Sequence, residues 1–229
     1  MGKAPFMDLA AASDLFLEGL QEAGITQLPQ SPSTLPLPGG ACLEALAKEV
    51  AACRACALCE SRTQTVFGSG NANPSLVFIG EAPGFEEDRQ GLPFVGPAGK
   101  LLTAIIEKGF QVPRAEVYIA NTLKCRPPEN RDPTDEEKSS CLPFLERQLA
   151  ALKPSLVIAL GLHAAQQVVG QKLSLSRLRG KVHTTAGGLS VVCTYHPAYL
   201  LRKPEAKPDC WKDIQLAMNF LQMDSRGNR

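Results

Sequence analysis

Cys53 and Cys56 stand at C-x-x-C spacing in "CRACALC", and Cys59 extends the run. Cys125 follows in "NTLKCRPP" and Cys141 in "EEKSSCLPFLERQL". Two thiolates at x-x spacing can grip one metal centre, and two more from elsewhere can complete fourfold ligation of zinc or of an iron–sulfur cluster. Spacing alone does not separate these two outcomes, and Cys59 could stand in for Cys53 or Cys56. Buried cysteines also pack as small hydrophobes, the reading that suits Cys193 inside the apolar run "LSVVCTY". Cys42 and Cys210 have no partner at ligand spacing. A disulfide framework does not suit a chain of 229 residues without a secretory signal.

A second set of reactive groups lies where apolar runs end. "SLVFIG" (75–80) empties into "GEAPGFEEDRQGLPFVG", "VYIANTL" (117–123) contains Asn121, and "LSVVCTY" (189–195) stops at His196. The glycine-rich stretch is not a phosphate loop. Phe94 stands where a Walker motif needs its first glycine, and Leu101 follows Lys100 in place of Ser or Thr. The G-x-G-x-x-G dinucleotide pattern is missing as well. What remains is close backbone approach at Gly80 and Gly84, with Phe94 available either as core or as a stacking platform for a planar base. His163 and His183 read as structural.

Four short runs rich in Val, Ile and Leu must position these groups, at 75–80, 117–123, 155–161 and 189–195. Helical patterns fall between and after them, at about 98–109, 134–152, 162–170 and 209–222. Alternation of this kind predicts an α/β domain whose four-stranded sheet is largely parallel and buried on both faces. Ligands of such sheets bind outside the carboxyl ends of the strands. That rule collects the glycine-rich loop, Asn121 and His196 at one edge.

Residues 1–40 read as a tail, with a short amphipathic helix within 7–23 and the linker "TQLPQSPSTLPLPGG". The main domain is expected over 41–222, with a tail at 223–229. The composition is that of a soluble globular protein, 44% hydrophobic and 21% charged. No apolar run approaches the roughly 20 residues of a membrane span. Asp8, Asp14 and Glu18 interrupt anything that could be a signal peptide. A cytoplasmic protein is expected. The first 50 residues carry a net charge of −4 and the remainder +5, a mild basic bias compatible with nucleic acid.

Four segments in order, "CRACALCESRTQTVFGSG", "GEAPGFEEDRQGLPFVGPAGKLL", "VYIANTLKCRPPENRDP" and "HPAYLL", resemble the family 4 iron–sulfur uracil-DNA glycosylases from Cys53 to the C-terminal helix. The resemblance implies a three-layer α/β/α sandwich and a [4Fe–4S] cluster on Cys53, Cys56, Cys125 and Cys141, with Cys59 a spectator. It implies hydrolysis of the N-glycosidic bond of deoxyuridine in single- or double-stranded DNA, with the nucleotide extruded from the stack. Gly80 and Ala82 would then line the base pocket, Phe94 would stack on uracil, and Glu87 would form part of the wall that excludes the thymine methyl. Asn121 would match the O4 and N3–H edge, and His196 would donate to O2 as the base departs. Ala82 stands where the best-known uracil glycosylases orient water with an aspartate, which leaves Glu81 or the backbone for that task. The covalent-trapping branch uses a histidine in a loop after the second strand, and "KCRPPENRDP" has none.

Leu200 is expected to enter the duplex as an apolar wedge. Arg202 is expected on phosphate, with Lys203, Arg126, Arg131, Arg177, Arg179 and Lys181 as further cations for it. The implied partner is uracil-containing DNA, the chain acts as a monomer, and the N-terminal segment offers a contact for a replication or repair protein. The competing reading keeps the fold and cluster but makes the chain a non-catalytic DNA-binding or polymerase-associated module.

Overall fold

The computed structural model describes residues 39–223. The helix expected within 7–23, the linker as far as residue 38 and residues 224–229 lie outside this range, whereas Gly39 and Gly40 of the expected linker already belong to the first helix. The domain opens with helix α1 (Gly39–Ala51), followed by a single turn, α2 (Leu58–Ser61).

The sheet has six strands: β1 (Ser69–Gly70), β2 (Leu76–Gly80), β3 (Tyr118–Asn121), β4 (Leu156–Leu160), β5 (Val182–Thr184) and β6 (Ser190–Thr194). Their order is β1-β3-β2-β4-β6-β5. The four inner strands are the four apolar runs and are all parallel. The expected four-stranded sheet is therefore the centre of a larger one. Antiparallel β1 and β5 close its edges, pairing Ser69 with Ile119 and His183 with Val191. Strands of two and three residues carry no readable periodicity, which is why they escaped sequence analysis.

Successive side chains of a strand point to opposite faces, and the buried residues divide accordingly. Leu76 and Phe78 of β2 pack with Leu102 of α4 (Pro97–Ala104) and with Ile106 and Phe110 of the π-helical turn Ile105–Phe110 that extends it. Ile214 and Ala217 of α9 (Lys207–Phe220) complete that layer. Val77 and Ile79 face the other side, against Leu145 and Leu152 of α5 (Asp135–Leu152), Ala164 and Ala165 of α6 (Leu162–Val169) and Leu178 of α7 (Leu175–Leu178). Three layers result, α/β/α. The start of α5 is a capping box: the Glu137 N–H donates to Thr134 Oγ1 at 3.2 Å, and the Thr134 N–H to Glu137 Oε2 at 2.8 Å. Among the described residues no helix is long and apolar enough to cross a membrane.

β2 has β3 on one side and β4 on the other, so the chain reverses its direction of winding there. A crevice opens at the carboxyl ends of the strands at such a switch point. Short α3 (Phe85–Gln90) follows β2 into this crevice, and α8 (Pro197–Arg202) leaves β6 beside it.

Candidate active site

A cavity of about 470 Å³ occupies this edge, with Glu81, Ala82, Glu87, Phe94, Asn121, His196 and Arg202 in its lining. Gly80 lies beneath it and pairs with Asn121 in register across β2 and β3. A Cβ on Gly80 would come within 2.5 Å of Phe94 Cζ and overlap the Asn121 amide oxygen. Only glycine lets both side chains lie over the strand end.

Asn121 is 1% exposed, and its Oδ1 is the one buried side-chain polar atom without a hydrogen bond among the described residues. Leaving a buried carbonyl unpaired costs about 1–3 kcal/mol. The backbone around it is fixed, because the Thr122 N–H donates to Gly80 O at 2.9 Å and the Leu123 N–H to Glu81 O at 3.0 Å. An unpaired group on so rigid a support is an acceptor waiting for a ligand donor.

Phe94 has a left-handed backbone, φ 53°. Arg114 clamps it there by donating to Pro93 O at 2.9 Å and Phe94 O at 3.1 Å. Glu87 braces the same loop. Its Oε1 accepts from the Val95 and Gly96 N–H groups, each at 2.9 Å, and its Oε2 from the Gly84 N–H at 3.2 Å. Glu87 thus combines its place in the wall with a holding function that the sequence did not reveal. Arg114 was missed altogether, since nothing in "VPRAE" signals a clamp 20 residues away.

His196 is the N-cap of α8, and Pro197 begins the helix, where a missing N–H costs nothing. This explains why an imidazole followed by proline ends a buried strand. Nδ1 accepts the Ala198 N–H at 3.1 Å, so the proton of the neutral ring sits on Nε2. Burial, with the Arg202 charge adding to it and Glu87 opposing, holds the imidazole pKa down to about 4. The ring is therefore neutral at physiological pH. It lies 5.6 Å from the Phe94 ring, centroid to centroid. Behind it, Gly161 has φ 89°, and a Cβ there would also meet His196 Cβ at 3.0 Å, so both the backbone and the close approach require glycine.

Glu81 Oε1 lies 3.8 Å from His163 Nε2 in the first turn of α6, and Asp132 completes a trio whose ligand atoms lie within 4.8 Å of one another. Burial raises the Glu81 carboxyl above its ordinary range, with His163 working against this shift. His163, read from the sequence as structural, sits beside Glu81 at the carboxyl end of β4. Applying the strand-end rule to "IALGLH" would have found it. His183 does act structurally, its Nε2 lying 2.7 Å from Leu178 O.

The expectation for Leu200 is also corrected. It is 1% exposed and belongs to the core layer of Phe78 and Leu102. Counting four residues from the histidine ignored the helical turn of α8, which rolls Leu200 inward. Tyr199 and Leu201, 39% and 46% exposed, are the apolar groups presented outward. Four of the proposed phosphate ligands already have partners: Arg131 pairs with Glu137 at 2.6 Å, Arg179 with buried Asp213 at 2.7 Å and Lys203 with Glu205 at 3.9 Å, and Arg126 Nε donates to Asn130 Oδ1 at 2.8 Å. Asp213 also accepts from Thr194 Oγ1 at 2.7 Å, tying α9 to the strand end that delivers His196.

Cys53, Cys56, Cys59, Cys125 and Cys141 line one pocket together with Arg62 and Lys124. Arg62 Nη1 donates to Cys125 Sγ at 3.1 Å and its Nη2 to Cys53 O at 2.8 Å. Burial pushes the Cys141 thiol up to about 11, so ligation has to displace its proton. The donor set is soft sulfur with cations around it. Such a donor set suits fourfold ligation of zinc or of an iron–sulfur cluster. Ala82 packs on this nest with Leu58 and Leu123, so nest and cavity share a wall.

A three-layer α/β domain with a polar crevice at the carboxyl end of its sheet, lined by an amide, an imidazole and an aromatic ring, is suited to holding a planar polar ring. The family model "Uracil DNA glycosylase superfamily" matches residues 67–215, and the chain belongs to that superfamily. It is 42% identical over 186 residues to a Type-4 uracil-DNA glycosylase of Thermotoga maritima, covering 80% of this chain and 96% of that protein. The counterpart in Archaeoglobus fulgidus is 41% identical over 180 residues, 76% of this chain and 90% of that one. A Type-5 uracil-DNA glycosylase of Pyrobaculum aerophilum is 32% identical over 148 residues, 57% of this chain and 64% of that protein.

Proposed function

We propose that the chain excises uracil from DNA by hydrolysing its N-glycosidic bond, leaving an abasic site. The observation that carries this reading is the orphaned Oδ1 of buried Asn121, in one cavity with a neutral imidazole whose single N–H is on Nε2. Uracil satisfies both groups. Its N3–H donates to Asn121 Oδ1 while the amide N–H reaches O4, and cytosine reverses both functions, leaving two buried mismatches. Phe94 stacks on the extruded ring. As the C1′–N1 bond breaks, its electron pair passes to the base, and His196 Nε2–H holds the charge that grows on O2. Water adds to C1′, oriented by Glu81 beside His163. Its proton leaves through the Glu81 carboxylate and finally reaches uracil N1.

Cys53, Cys56, Cys125 and Cys141 would hold a [4Fe–4S] cluster, with Cys59 outside the ligand set. Such a group ties segments 53–59, 125 and 141 together, and hydrolysis requires no electron from it. Arg202 at the cavity rim meets a phosphate, and the protein works as a cytoplasmic monomer whose N-terminal segment is available to a repair partner. The test is release of base from oligonucleotides carrying one deoxyuridine, with thymidine and deoxycytidine controls. Cleavage at uracil alone, lost in Asn121→Ala, is expected. No release by cluster-loaded wild type on single or double strands would instead make the chain a non-catalytic DNA-binding module.

A further inference from the structure

Lys124 stands between the two sites. It is 1% exposed and is absent from the cavity lining, so it does not touch the base. Its side chain turns back along the chain: Nζ donates to the backbone carbonyl of Asn121 at 2.7 Å and makes a short bond to Gln148 Oε1. Gln148 is itself fully buried and is fixed by donating Nε2 to Phe67 O at 3.0 Å and to Tyr118 OH at 3.3 Å. The Lys124 carbonyl accepts the Val66 N–H at 2.7 Å, and its side chain also lines the sulfur nest.

Burying an ammonium costs several kcal/mol even after relaxation, and an apolar side chain would fill this space without that cost. The bond it makes is charge-assisted and therefore among the stronger ones. It is applied to the peptide that carries the base-reading amide. A turn of the Asn121 peptide would break it, and Gln148 prevents the ammonium from following.

We infer that Lys124 is a positioning residue: braced by Gln148 and by the sulfur nest, it holds the Asn121 peptide so that the amide stays aimed into the cavity. This rests on the reading of Asn121 as the uracil-recognising group. A misplacement of about 1 Å at a reacting centre can cost on the order of 100-fold, which sets the scale of the expected loss.

The experiment compares wild type, Lys124→Met, Gln148→Leu, Asn121→Ala and the double variant Lys124→Met/Asn121→Ala, all as full chains. It measures single-turnover uracil release, affinity for free uracil, iron per chain and Tm. Lys124→Met is expected to lose about 10- to 100-fold in release, to bind free uracil more weakly, and to keep its iron. The double variant should be no slower than Asn121→Ala alone, because Lys124 acts through that residue. Multiplying losses would overturn the inference, as would full-rate release by a well-folded Lys124→Met. If Lys124→Met does not fold or load iron, Gln148→Leu decides: a smaller loss in the same direction supports the brace and an unchanged rate overturns it. Asn121→Ala at the wild-type rate would instead refute the reading of the site and take this inference with it. An impaired Asn121→Ala beside an unimpaired, iron-replete Lys124→Met sinks the Lys124 role alone.

Discussion

Replacing His196 by alanine removes two things that the structure separates. The Nε2–H is the hydrogen available to the departing base, and loss of such a preorganised donor typically costs about 10²–10³ in rate. The Nδ1 cap on the Ala198 N–H is worth about 1 kcal/mol of stability, or roughly 2–4 °C in Tm for a domain of this size. The assay is single-turnover release from a duplex with one deoxyuridine, enzyme in excess, run for both proteins from pH 8 to pH 5. The ratio of the two rates cancels every titration they share, Glu81 included. With a pKa of about 4, roughly nine-tenths of the imidazole stays neutral at pH 5, whereas an ordinary value near 6.5 would leave roughly 3% neutral. The ratio should therefore stay within about twofold across the range. Protonating Nδ1 would abolish its acceptor role and turn the ring, so a tenfold fall centred near pH 6.5 would refute the neutral assignment. A loss below about fivefold at pH 7.5 would refute the donor. Stability carries the same sign. The folded pKa lies below the unfolded one, so the unfolded chain takes up the proton first as pH falls through 6.5. This group costs the fold nothing above that window and up to about 3 kcal/mol at its lower end, less what solvent in the cavity screens. The Tm gap between wild type and His196→Ala should narrow on acidification.

Leu200→Ala is expected to lose about 2–5 kcal/mol of stability, read as a lower midpoint in denaturant, while Leu201→Ala leaves stability alone and slows release from duplex more than from single strands. The reverse pattern would restore Leu200 as the wedge. Cys125→Ala removes both a thiol and the acceptor of Arg62 Nη1, and should lose visible absorbance, iron and uracil release together. A colourless, well-folded variant with full activity would break the link between nest and cavity.

The four central strands were legible because each is a run apolar on both faces, as a parallel sheet covered by helices on both sides requires. The strand-end rule then gathered Asn121, His196 and the glycine-rich loop correctly. Legibility failed wherever a helical turn or a long-range clamp decides. Leu200 lies four residues from His196 whatever the fold, but only the roll of α8 says that it points inward. Arg114 and Lys124 act on backbone carbonyls, which carry no side-chain signature. The protonation state of His196 depends first on burial, which "HPAYLLRK" does not encode, although the Arg202 charge that adds to it stands in that stretch.

Ala82 now has a physical explanation. It packs against Leu58, Leu123 and Cys125 on the wall common to cavity and sulfur nest. An aspartate there would face the cavity with its back against Leu58, Leu123 and Cys125, and desolvation by that wall would oppose its ionisation. Glu81, one residue earlier, lines the same cavity but has His163 at 3.8 Å, which works against the effect of burial on its carboxyl. On the proposed reading the water-orienting carboxylate therefore stands at the first position of the loop, beside His163, and not at the second. The same nest borders the lysine on its far side, and thiolate ligands of the proposed cluster would offset the cost of burying the ammonium that grips the Asn121 carbonyl.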